Sequence, residues 1–336
     1  MNETFIAQRA RGEDSTFETE DVIRSSKETI SFIIPALNEE KNIGRAISSI
    51  KACMKEAPYE IIVVDNGSHD STQRIAASLG AKVIVDETKT IGGLRNLGYK
   101  HSTGSILSFI DSDIELDSNW LKELVSAYTY WPENRLIITG SSYLVSEDAT
   151  FIEKNWFSKF SSSNISYINS GHLVTTREMM DLLAGFDENL KTSEDFDLCQ
   201  RAKKKGGVIA IEPRLKAYHH GFPATISDFV VREAWHGRAD ISSVSQFLHS
   251  KTAIASMGNS ALLTTSVIFL LFFGDFSLSF CMIFVSFLLC SLFTYIKFGT
   301  DNLKGFLKTA LCFEIYFFGR TLSLFLGKSR PTARAS

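Results

Sequence analysis

Two aspartates one residue apart, Asp111 and Asp113, are the side chains in this 336-residue chain whose type and spacing most directly suggest chemistry. They follow the apolar run 105–110, SILSFI, which predicts a buried strand that ends at the acids. In an open α/β sheet, ligands bind beyond the carboxyl ends of the strands. Because Mg²⁺ and Mn²⁺ prefer oxygen ligands and are often shared with phosphates, the pair predicts a divalent cation that holds a phosphate ligand. The alternative is a solvated turn in which an aspartate caps the next helix.

Strand and helix patterns alternate from about residue 29 to residue 130, and this alternation predicts an α/β fold. Hydrophobic periodicity places strands at 29–35, 60–65, 81–86 and 106–110 and helices at 38–55, 68–79, 92–102 and 117–130. Repeated β-α-β units have right-handed crossovers and form a mostly parallel, Rossmann-like sheet. The order then becomes mixed, with strands predicted at 135–144 and 208–212 and helices at 151–160, 176–183 and 194–205.

Polar loops follow the first two predicted strands as well as the fourth. Residues 35–39 read PALNE and residues 63–70 read VVDNGSHD, and in a parallel sheet both loops share an edge with the two aspartates. Asp65 is suited to accept hydrogen bonds from a nucleotide base or ribose, although a turn or cap role is the alternative. Gly67 permits close approach of a ligand. Arg95 is suited to phosphate through its bidentate fork, unless it lies on a solvated helix face.

A second acidic group, Glu194, Asp195 and Asp197, opens the helix predicted at 194–205. Acids in the first turn of a helix interact favourably with its positive end, and this explanation suffices for Glu194 or Asp197. A general base must reach the proton of an attacking hydroxyl and stay ionised near neutral pH. We expect Asp195 to be that base.

A third group of candidates lies between residues 218 and 238. His219 and His220 are adjacent, and since neighbouring side chains of a strand point to opposite faces, at most one of them joins a metal site. We take His220 as the candidate and leave the choice between the two open. Arg232 and Trp235 fall on a predicted helix, where they either close over a sugar diphosphate or mark the layer of lipid headgroups.

In this order, the segments PALNE, VVDNGS, DSD and SEDFD resemble glycosyltransferase family 2, the inverting nucleotide-sugar enzymes of GT-A fold. The resemblance runs from about residue 29 to residue 240. It implies that Asp65 contacts the nucleotide base, that Asp111 or Asp113 binds Mg²⁺ or Mn²⁺, and that Asp195 is the catalytic base. The chain departs from the family at Asn66, where an acid is common, and the lost charge puts donor affinity or base choice in question.

These patterns and the resemblance together define one candidate site. Its catalytic residue is Asp195, and its metal ligands are Asp113, Asp111 and His220. The donor-binding candidates are Pro35, Asn38, Glu39, Asp65, Asn66, Gly67, Arg95, Asp111, Ser112, Arg232 and Trp235.

Two apolar runs, 254–273 and 276–296, follow the predicted catalytic domain. At 1.5 Å per residue each is long enough to cross a hydrocarbon core of about 30 Å, and only Gly274 and Asp275 separate them. This arrangement predicts a helical hairpin across a bilayer, similar to family members with carboxyl-terminal membrane helices. A third stretch, 306–326, contains three charged residues, which favours an interfacial helix while a third span stays open.

The chain is expected to comprise a flexible tail over 1–28, a catalytic domain over 29–240 and a membrane region over 241–330. No signal-peptide pattern occurs in the tail, and basic residues flank the apolar runs, so we expect the catalytic domain in the cytoplasm. The five cysteines lack metal-ligand spacing and are typical of a reduced compartment. A net charge of −3 provides no basic field for nucleic acid.

The predicted function is sugar transfer from a nucleotide diphosphate-sugar to a membrane-associated acceptor. That acceptor is a lipid-linked glycan, a polyprenyl phosphate or a cell-surface polysaccharide. A nucleotidyltransferase is one alternative, but it needs a basic, glycine-rich loop near the amino terminus, and residues 35–38 read PALN. A non-catalytic membrane scaffold of the same fold is the other, and acids at every candidate position argue against it.

Overall fold

The computed structural model describes residues 28–325, except 56, 147, 161–166, 191, 242–243 and 301. The tail predicted as flexible, apart from Glu28, and the basic residues that close the chain lie outside the described residues. Internal contacts divide the chain into two compact units. The first comprises Met1–Tyr143 and Ile165–Tyr218, and the second comprises Leu144–Asn164 and His219–Ser336. That 29–240 forms one domain stays a prediction.

The first unit is an α/β structure. Its strands are β1 Ile30–Ala36, β2 Tyr59–Asp65, β3 Lys82–Val85, β4 Ile106–Ile110, β5 Ile114–Leu116, β6 Ile137–Gly140, β7 His172–Thr176, β8 Val208–Ile211 and β9 Ala217–His219, which ends one residue into the second unit. Its helices are α1 Ile43–Met54, α2 Thr72–Ser78, α3 Ile91–Lys100, α4 Trp120–Tyr128, α6 Arg177–Leu183 and α7 Glu194–Lys204. Helix α5, Phe151–Asn155, belongs to the second unit.

Seven strands form one mixed sheet in the order β3-β2-β1-β4-β7-β6-β8, and β5 pairs with β9 in a small second sheet. The strands from β3 to β4 are parallel, and β6 is parallel to β8. Strand β7 is antiparallel to both of its neighbours, β4 and β6. The predicted class, a mostly parallel α/β sheet followed by apolar helices, is confirmed.

The central strands form because their side chains are apolar on both faces. All seven residues of β1 are buried, with Phe32 and Ile34 in the core beneath α1 and Ile33 in the core on the opposite face. Near-continuous apolar runs are typical of parallel strands that helices cover on both sides. The parallel registers bring the carboxyl ends of β1 and β2 together, with Ala36 beside Asp65.

Strand β7 is the strand of the seven-stranded sheet that sequence patterns missed. Its sequence is HLVTT, with a histidine and two threonines, so hydrophobic periodicity alone does not distinguish it from a loop before α6. All five residues are nevertheless buried, because β7 fills the gap between β4 and β6. Its antiparallel pairing places His172 opposite Ile110, directly before the two aspartates. Tertiary pairing therefore decides the strand.

His172 belongs to a buried polar network. Trp120 Nε1 donates a hydrogen bond of 2.8 Å to His172 Nε2, and Ser141 Oγ lies 3.0 Å from His172 Nδ1. Because an indole N–H can only donate, Nε2 is an acceptor and the imidazole is the neutral Nδ1–H tautomer. Burial lowers the pKa of His172 to about 4. The network ties α4 to the centre of the sheet.

The second unit is helical over its described residues. It contains α5 Phe151–Asn155, a 3₁₀ turn at Phe157–Phe160, α8 Ile226–Asp240, α9 Val244–His249, α10 Lys251–Ile268 continued by a π-helical turn at Phe269–Phe273, α11 Phe276–Phe298 and α12 Leu303–Leu322. Lys251–Phe273 and Phe276–Phe298 are long and apolar enough to cross a membrane, judged by length and composition. In each of these two helices, only 17% of the most apolar 18-residue segment is buried, whereas the core helix of a soluble protein is mostly buried.

In helix α12, the charged side chains of Glu314 and Arg320 contact other residues of the second unit. Glu314 accepts hydrogen bonds from Asn259 Nδ2 at 2.7 Å and from Ser286 Oγ at 2.8 Å, one on each hairpin helix. Arg320 pairs with Glu233 at 3.0 Å and Asp240 at 2.9 Å on α8. Leu307, Leu311 and Phe318 are apolar residues on the outward side of α12, and they are between 42% and 49% exposed. Two of the three charges that argued against a third span, Glu314 and Arg320, therefore have partners inside the helical unit.

The buried neutral His172 predicts a fold that is sensitive to acid. An unfolded imidazole has a pKa of about 6.5, so as the pH falls from 6.5 to 4 the unfolded chain binds a proton that the native chain excludes. The free energy of unfolding should therefore fall by roughly 3 kcal/mol over this range, and this contribution should be constant above it. Urea titrations of the detergent-solubilised chain across this pH range measure the effect.

The matched control is His172→Gln, whose amide oxygen can still accept from Trp120 but does not titrate. It should lose this part of the pH dependence. Equal pH dependence in the two proteins would contradict the assignment of a neutral, proton-excluding imidazole.

Candidate active site

The acid turn, which we define as Asp111–Asp113, lies between β4 and β5 at the carboxyl edge of the sheet. The Asp111 amide donates to the Gly171 carbonyl at 3.0 Å, and the Ile114 amide donates to the Asp111 carbonyl at 3.1 Å. Ser112 and Asp113 are buried, whereas the side chain of Asp111 is 35% exposed. The turn is thus fixed by its backbone, with two carboxylates at one strand end.

Arg95 lies in α3 and is only 2% exposed. Its Nη2 is 2.7 Å from Asp111 Oδ1, and its Nη1 is 2.7 Å from Glu194 Oε1. Although burial acts to lower it, the two neighbouring carboxylates raise the pKa of Arg95, so this residue is a permanent cation. The structure therefore places Arg95 between acids, and direct contact with a phosphate would require an ion pair to open.

The first turn of α7 presents Glu194 and Asp195, and both are buried. The Asp195 carboxylate accepts hydrogen bonds from its neighbour's amide, Phe196 N, at 2.7 Å and from Ser170 N at 3.3 Å. Burial raises the pKa of Asp195, the Glu194 charge raises it further, and the two amides and Arg95 act against these effects. A carboxylate with a raised pKa is a stronger base than an ordinary aspartate.

The segment 169–171, which precedes β7, was missed by the sequence patterns. Ser170 contacts both acids of α7, through its amide to Asp195 and through its hydroxyl to Glu194 at 3.2 Å. The next residue, Gly171, holds the acid turn through its carbonyl. The adjacent Ser-Gly pair is a weak signal for a close backbone approach, and without β7 as a strand it could not be assigned to this edge.

Tyr143 is a further residue that the sequence did not identify. Its side chain is partly buried against the core, its hydroxyl donates to Asn169 Oδ1, and desolvation together with the charges of Asp111 and Asp113 raises its pKa well above the ordinary value. Asp195 acts on it in the same direction. Tyr143 therefore lies within electrostatic reach of the acid turn and of the predicted base, which places both in one cluster.

Asp65 is also at this edge, but it is fully buried and its oxygens serve the turn that follows β2. They accept from Gly67 N at 3.1 Å, from Ser68 N at 2.8 Å and from Gln73 Nε2 at 2.7 Å. These contacts correspond to the turn-and-cap alternative. Contact of Asp65 with a nucleotide base stays a prediction, and it would have to replace or share these bonds. Asn66 donates to the Asp86 carbonyl at 2.8 Å.

The loop after β1 is cross-linked to the loop after β2. Asn38 has a positive φ of 56°, its amide donates to Ser68 Oγ at 2.8 Å, and its side chain accepts from His69 N at 2.9 Å. The Glu39 amide donates to Thr72 Oγ1 at 2.7 Å. The predicted donor-binding positions from Pro35 to Gly67 are therefore neighbours, as expected for adjacent parallel strands.

His220, Arg232 and Trp235 belong to the second unit, and their roles at the site stay predictions. Within that unit, Arg232 pairs with Glu233 at 2.7 Å and lies over the ring of Phe157. Burial lowers the pKa of Arg232, and Glu233 opposes this effect. Trp235 packs against the next side chain along its helix.

The acid turn has the ligand chemistry of a hard divalent cation. Asp111 and Asp113 offer carboxylate oxygens, and Gly171 lies so close to Asp111 and Tyr143 that a Cβ at this position would overlap both. Among the residues that the structure describes, no group of three or more His, Cys, Asp or Glu side chains is arranged to hold a metal. Since Mg²⁺ is usually held by one or two carboxylates plus phosphates and water, the residues fit a metal that binds with a phosphate ligand.

Comparisons with known proteins show similarity to glycosyltransferases. Residues 31–180 match the model of a protein family described as Glycosyl transferase family 2. Glycosyltransferase AglE of Haloferax volcanii is 36% identical over 104 residues, which cover 29% of this chain and 34% of AglE. Pre-mycofactocin glycosyltransferase of Mycobacterium tuberculosis is 24% identical over 226 residues, which cover 63% of this chain and 47% of that protein.

The chain thus spans between about a third and a half of the length of these curated relatives. Among solved structures, glucosyl-3-phosphoglycerate synthase of Mycobacterium tuberculosis in complex with phosphoglyceric acid matches with a TM-score of 0.48 and 22% identity. That match covers 63% of this chain and 79% of the synthase chain.

Proposed function

We propose that this chain, whose residues 31–180 belong to glycosyl transferase family 2, is a metal-dependent inverting glycosyltransferase. It moves a sugar from a nucleotide diphosphate-sugar to a membrane-associated acceptor. The observation that carries this proposal is the single cluster that joins the acid turn to the first turn of α7 through Arg95 and Ser170. A charge-stabilising group and a base are the two parts that a single displacement needs.

In the proposed reaction, Asp195 takes the proton of an acceptor hydroxyl as the hydroxyl oxygen attacks the anomeric carbon. The bond from that carbon to the diphosphate oxygen breaks, the electron pair leaves with the nucleoside diphosphate, and attack from the opposite face inverts the carbon. The buried position of Asp195 supports this role, because a raised pKa strengthens the base. An acceptor phosphate needs no such proton transfer, so the role of Asp195 favours a hydroxyl acceptor.

Asp113 and Asp111 are the residues that would hold Mg²⁺ or Mn²⁺. A bound ion supplies Lewis-acid stabilisation of the charge that develops on the departing diphosphate. Asp113 is the first candidate for direct coordination, and Asp111, whose Oδ1 pairs with Arg95, is the second. Both relatives described above are named glycosyltransferases, which supports the reaction class.

A membrane-associated acceptor is proposed from the helical unit. The hairpin exposes large apolar side chains around its turn, with Leu271, Phe272, Phe273 and Phe276 between 70% and 78% exposed. Contiguous exposed apolar surface on this scale favours a lipid environment. A lipid-linked glycan, a polyprenyl phosphate and a cell-surface polysaccharide are the acceptors consistent with such anchoring, and we place the catalytic unit on the cytoplasmic side.

Asp195→Asn should lower turnover by roughly 10²- to 10⁴-fold with a hydroxyl acceptor, because the amide cannot take the proton. Turnover is measured as release of nucleoside diphosphate from a panel of nucleotide sugars by the purified chain in detergent. The matched control is Asp197→Asn on the same helical turn, whose side chain pairs with Arg201 at 2.7 Å. Equal turnover of Asp195→Asn and the unchanged chain would rule out the base.

Removal of the metal should abolish transfer, because the metal bound by the acid turn is required for the reaction. Calorimetry with uridine diphosphate and guanosine diphosphate should show heat of binding with Mn²⁺ for at least one of them and a loss of that heat with EDTA. Asp113→Ala should reduce the Mn²⁺-dependent affinity, whereas Asp187→Asn, in the loop between α6 and α7, should not. Metal-independent binding that Asp113→Ala leaves unchanged would contradict the metal role.

The chain should stay with the membrane pellet after extraction with alkaline carbonate. Two charges at the hairpin turn, in the variant Leu271→Lys/Phe272→Lys, should release a large part of it, because charged side chains are costly in hydrocarbon. The control is Val85→Lys, a 51% exposed apolar position in the first unit, which should not release it. Complete extraction of the unchanged chain would contradict membrane anchoring.

A further inference from the structure

Arg95 connects two segments that are far apart in sequence. It is 16 residues from Asp111 and 99 residues from Glu194, and each of its ion pairs is 2.7 Å long. The Arg95 side chain is 3% exposed and that of Glu194 is 9% exposed. A buried guanidinium with two carboxylates on separate nitrogens fixes the distance between the groups that carry those carboxylates.

The packing of α3 holds this arginine in place. Gly92 lies so near Glu194 and the segment 186–187 that a Cβ would meet Phe186 at 3.3 Å and Glu194 at 3.5 Å. Asn96 exchanges two hydrogen bonds of 2.8 Å with the backbone of Phe186, one to its carbonyl and one from its amide. Helix α3 is therefore anchored directly against the segment that leads into α7.

We propose that Arg95 is a positioning residue that sets the spacing between the acid turn and the base Asp195. This positioning role rests on the proposed function, because it assumes that Asp195 and the acid turn have the roles given above. Asp111 belongs to the acid turn, and Glu194 directly precedes Asp195, so the two ion pairs of Arg95 bridge the two halves of the site. We call this arrangement the arginine bridge.

The arginine bridge also balances charge. Asp111 and Glu194 would repel each other across a buried space, and the guanidinium offsets that repulsion for both. The charged groups that act on Asp195 are Glu194 on its own helix and Arg95 on α3, and Asp195 in turn raises the pKa of the neutral hydroxyls of Tyr143 and Tyr167. Arg95 is the only cation among them within the described residues, so its loss leaves acids alone around the base.

Arginine is specifically suited to this bridge. Its planar fork offers two nitrogens to two carboxylates at once, whereas a lysine ammonium is a point charge on a flexible stem. Arg95→Lys therefore keeps the positive charge but should hold only one acid at a time. A direct phosphate-binding role for Arg95 makes a different prediction, because a lysine cannot reproduce the bidentate fork, so the affinity for the diphosphate would fall together with kcat.

A double-mutant cycle of Arg95→Lys and Glu194→Gln tests the bridge. Each single variant should lower kcat by about 100-fold, the cost of a misplacement near 1 Å. The double variant should be no worse than the more damaging single variant, since both remove the same bridge. The control is Arg177→Lys, an arginine of the same unit that donates to the Gly104 carbonyl at 2.9 Å, and its kcat should be unchanged. If the loss in kcat of the double variant equals the product of the two single losses, the proposal is overturned.

Binding supplies a readout that does not depend on turnover. Calorimetric titration with Mn²⁺ plus uridine diphosphate or guanosine diphosphate should give dissociation constants within about threefold of the unchanged chain for Arg95→Lys, a small change beside the loss in kcat. A loss of diphosphate affinity as large as the loss in kcat would show direct ligand contact and overturn the positioning role.

Thermal denaturation of the unchanged chain, the two single variants and the double variant distinguishes a failure of the arginine bridge from a failure of the proposed function. The midpoints of Arg95→Lys and Glu194→Gln should be coupled, because the two side chains share one ion pair, and additive shifts would overturn the arginine bridge whether or not the chain has turnover. An unchanged chain without turnover on any donor, but with coupled midpoints, would instead contradict the proposed function and leave the bridge standing.

Discussion

Carboxylates gathered in one buried cluster repel one another, and the cluster is stable only where a cation is buried with them. In this chain that cation is Arg95, and its two ion pairs with Asp111 and Glu194 are the contacts on which the arrangement of the site depends. The backbone of 169–171 repeats the same connection through neutral hydrogen bonds, from Ser170 to Asp195 and from Asp111 to Gly171. Charge and backbone together hold the acid turn next to α7.

The helical unit solves a related problem by similar means. Glu314 and Arg320 on α12 contact polar and acidic side chains of α8 and the hairpin, so these two charges face the interior of the unit. Charged residues on apolar helices are tolerated when they face a protein interior and have partners there. Glu314 and Arg320, two of the three charges that appeared in sequence to argue against membrane burial of α12, are therefore compatible with apolar surroundings on its outer face.

Two residues show where sequence reasoning reaches its limit. Asp65 and Arg95 were both expected to contact a nucleotide or its phosphates. The structure surrounds Asp65 with donors from its own turn and Arg95 with acids from two other segments. Residue type and position identify a polar group near a site, but the partner of that group is set by segments distant in sequence.

The sequence by itself determined the parallel strands, the acid turn, the acids of α7 and the apolar hairpin, because hydrophobic periodicity and polar loops at strand ends are local patterns. Only the tertiary structure decided that β7 enters the sheet between β4 and β6, and that Tyr143 and residues 169–171 line the same cluster as Asp195. The physical reason is that strand pairing and ion pairing over 99 residues depend on which surfaces meet when the chain closes. No local pattern records that choice.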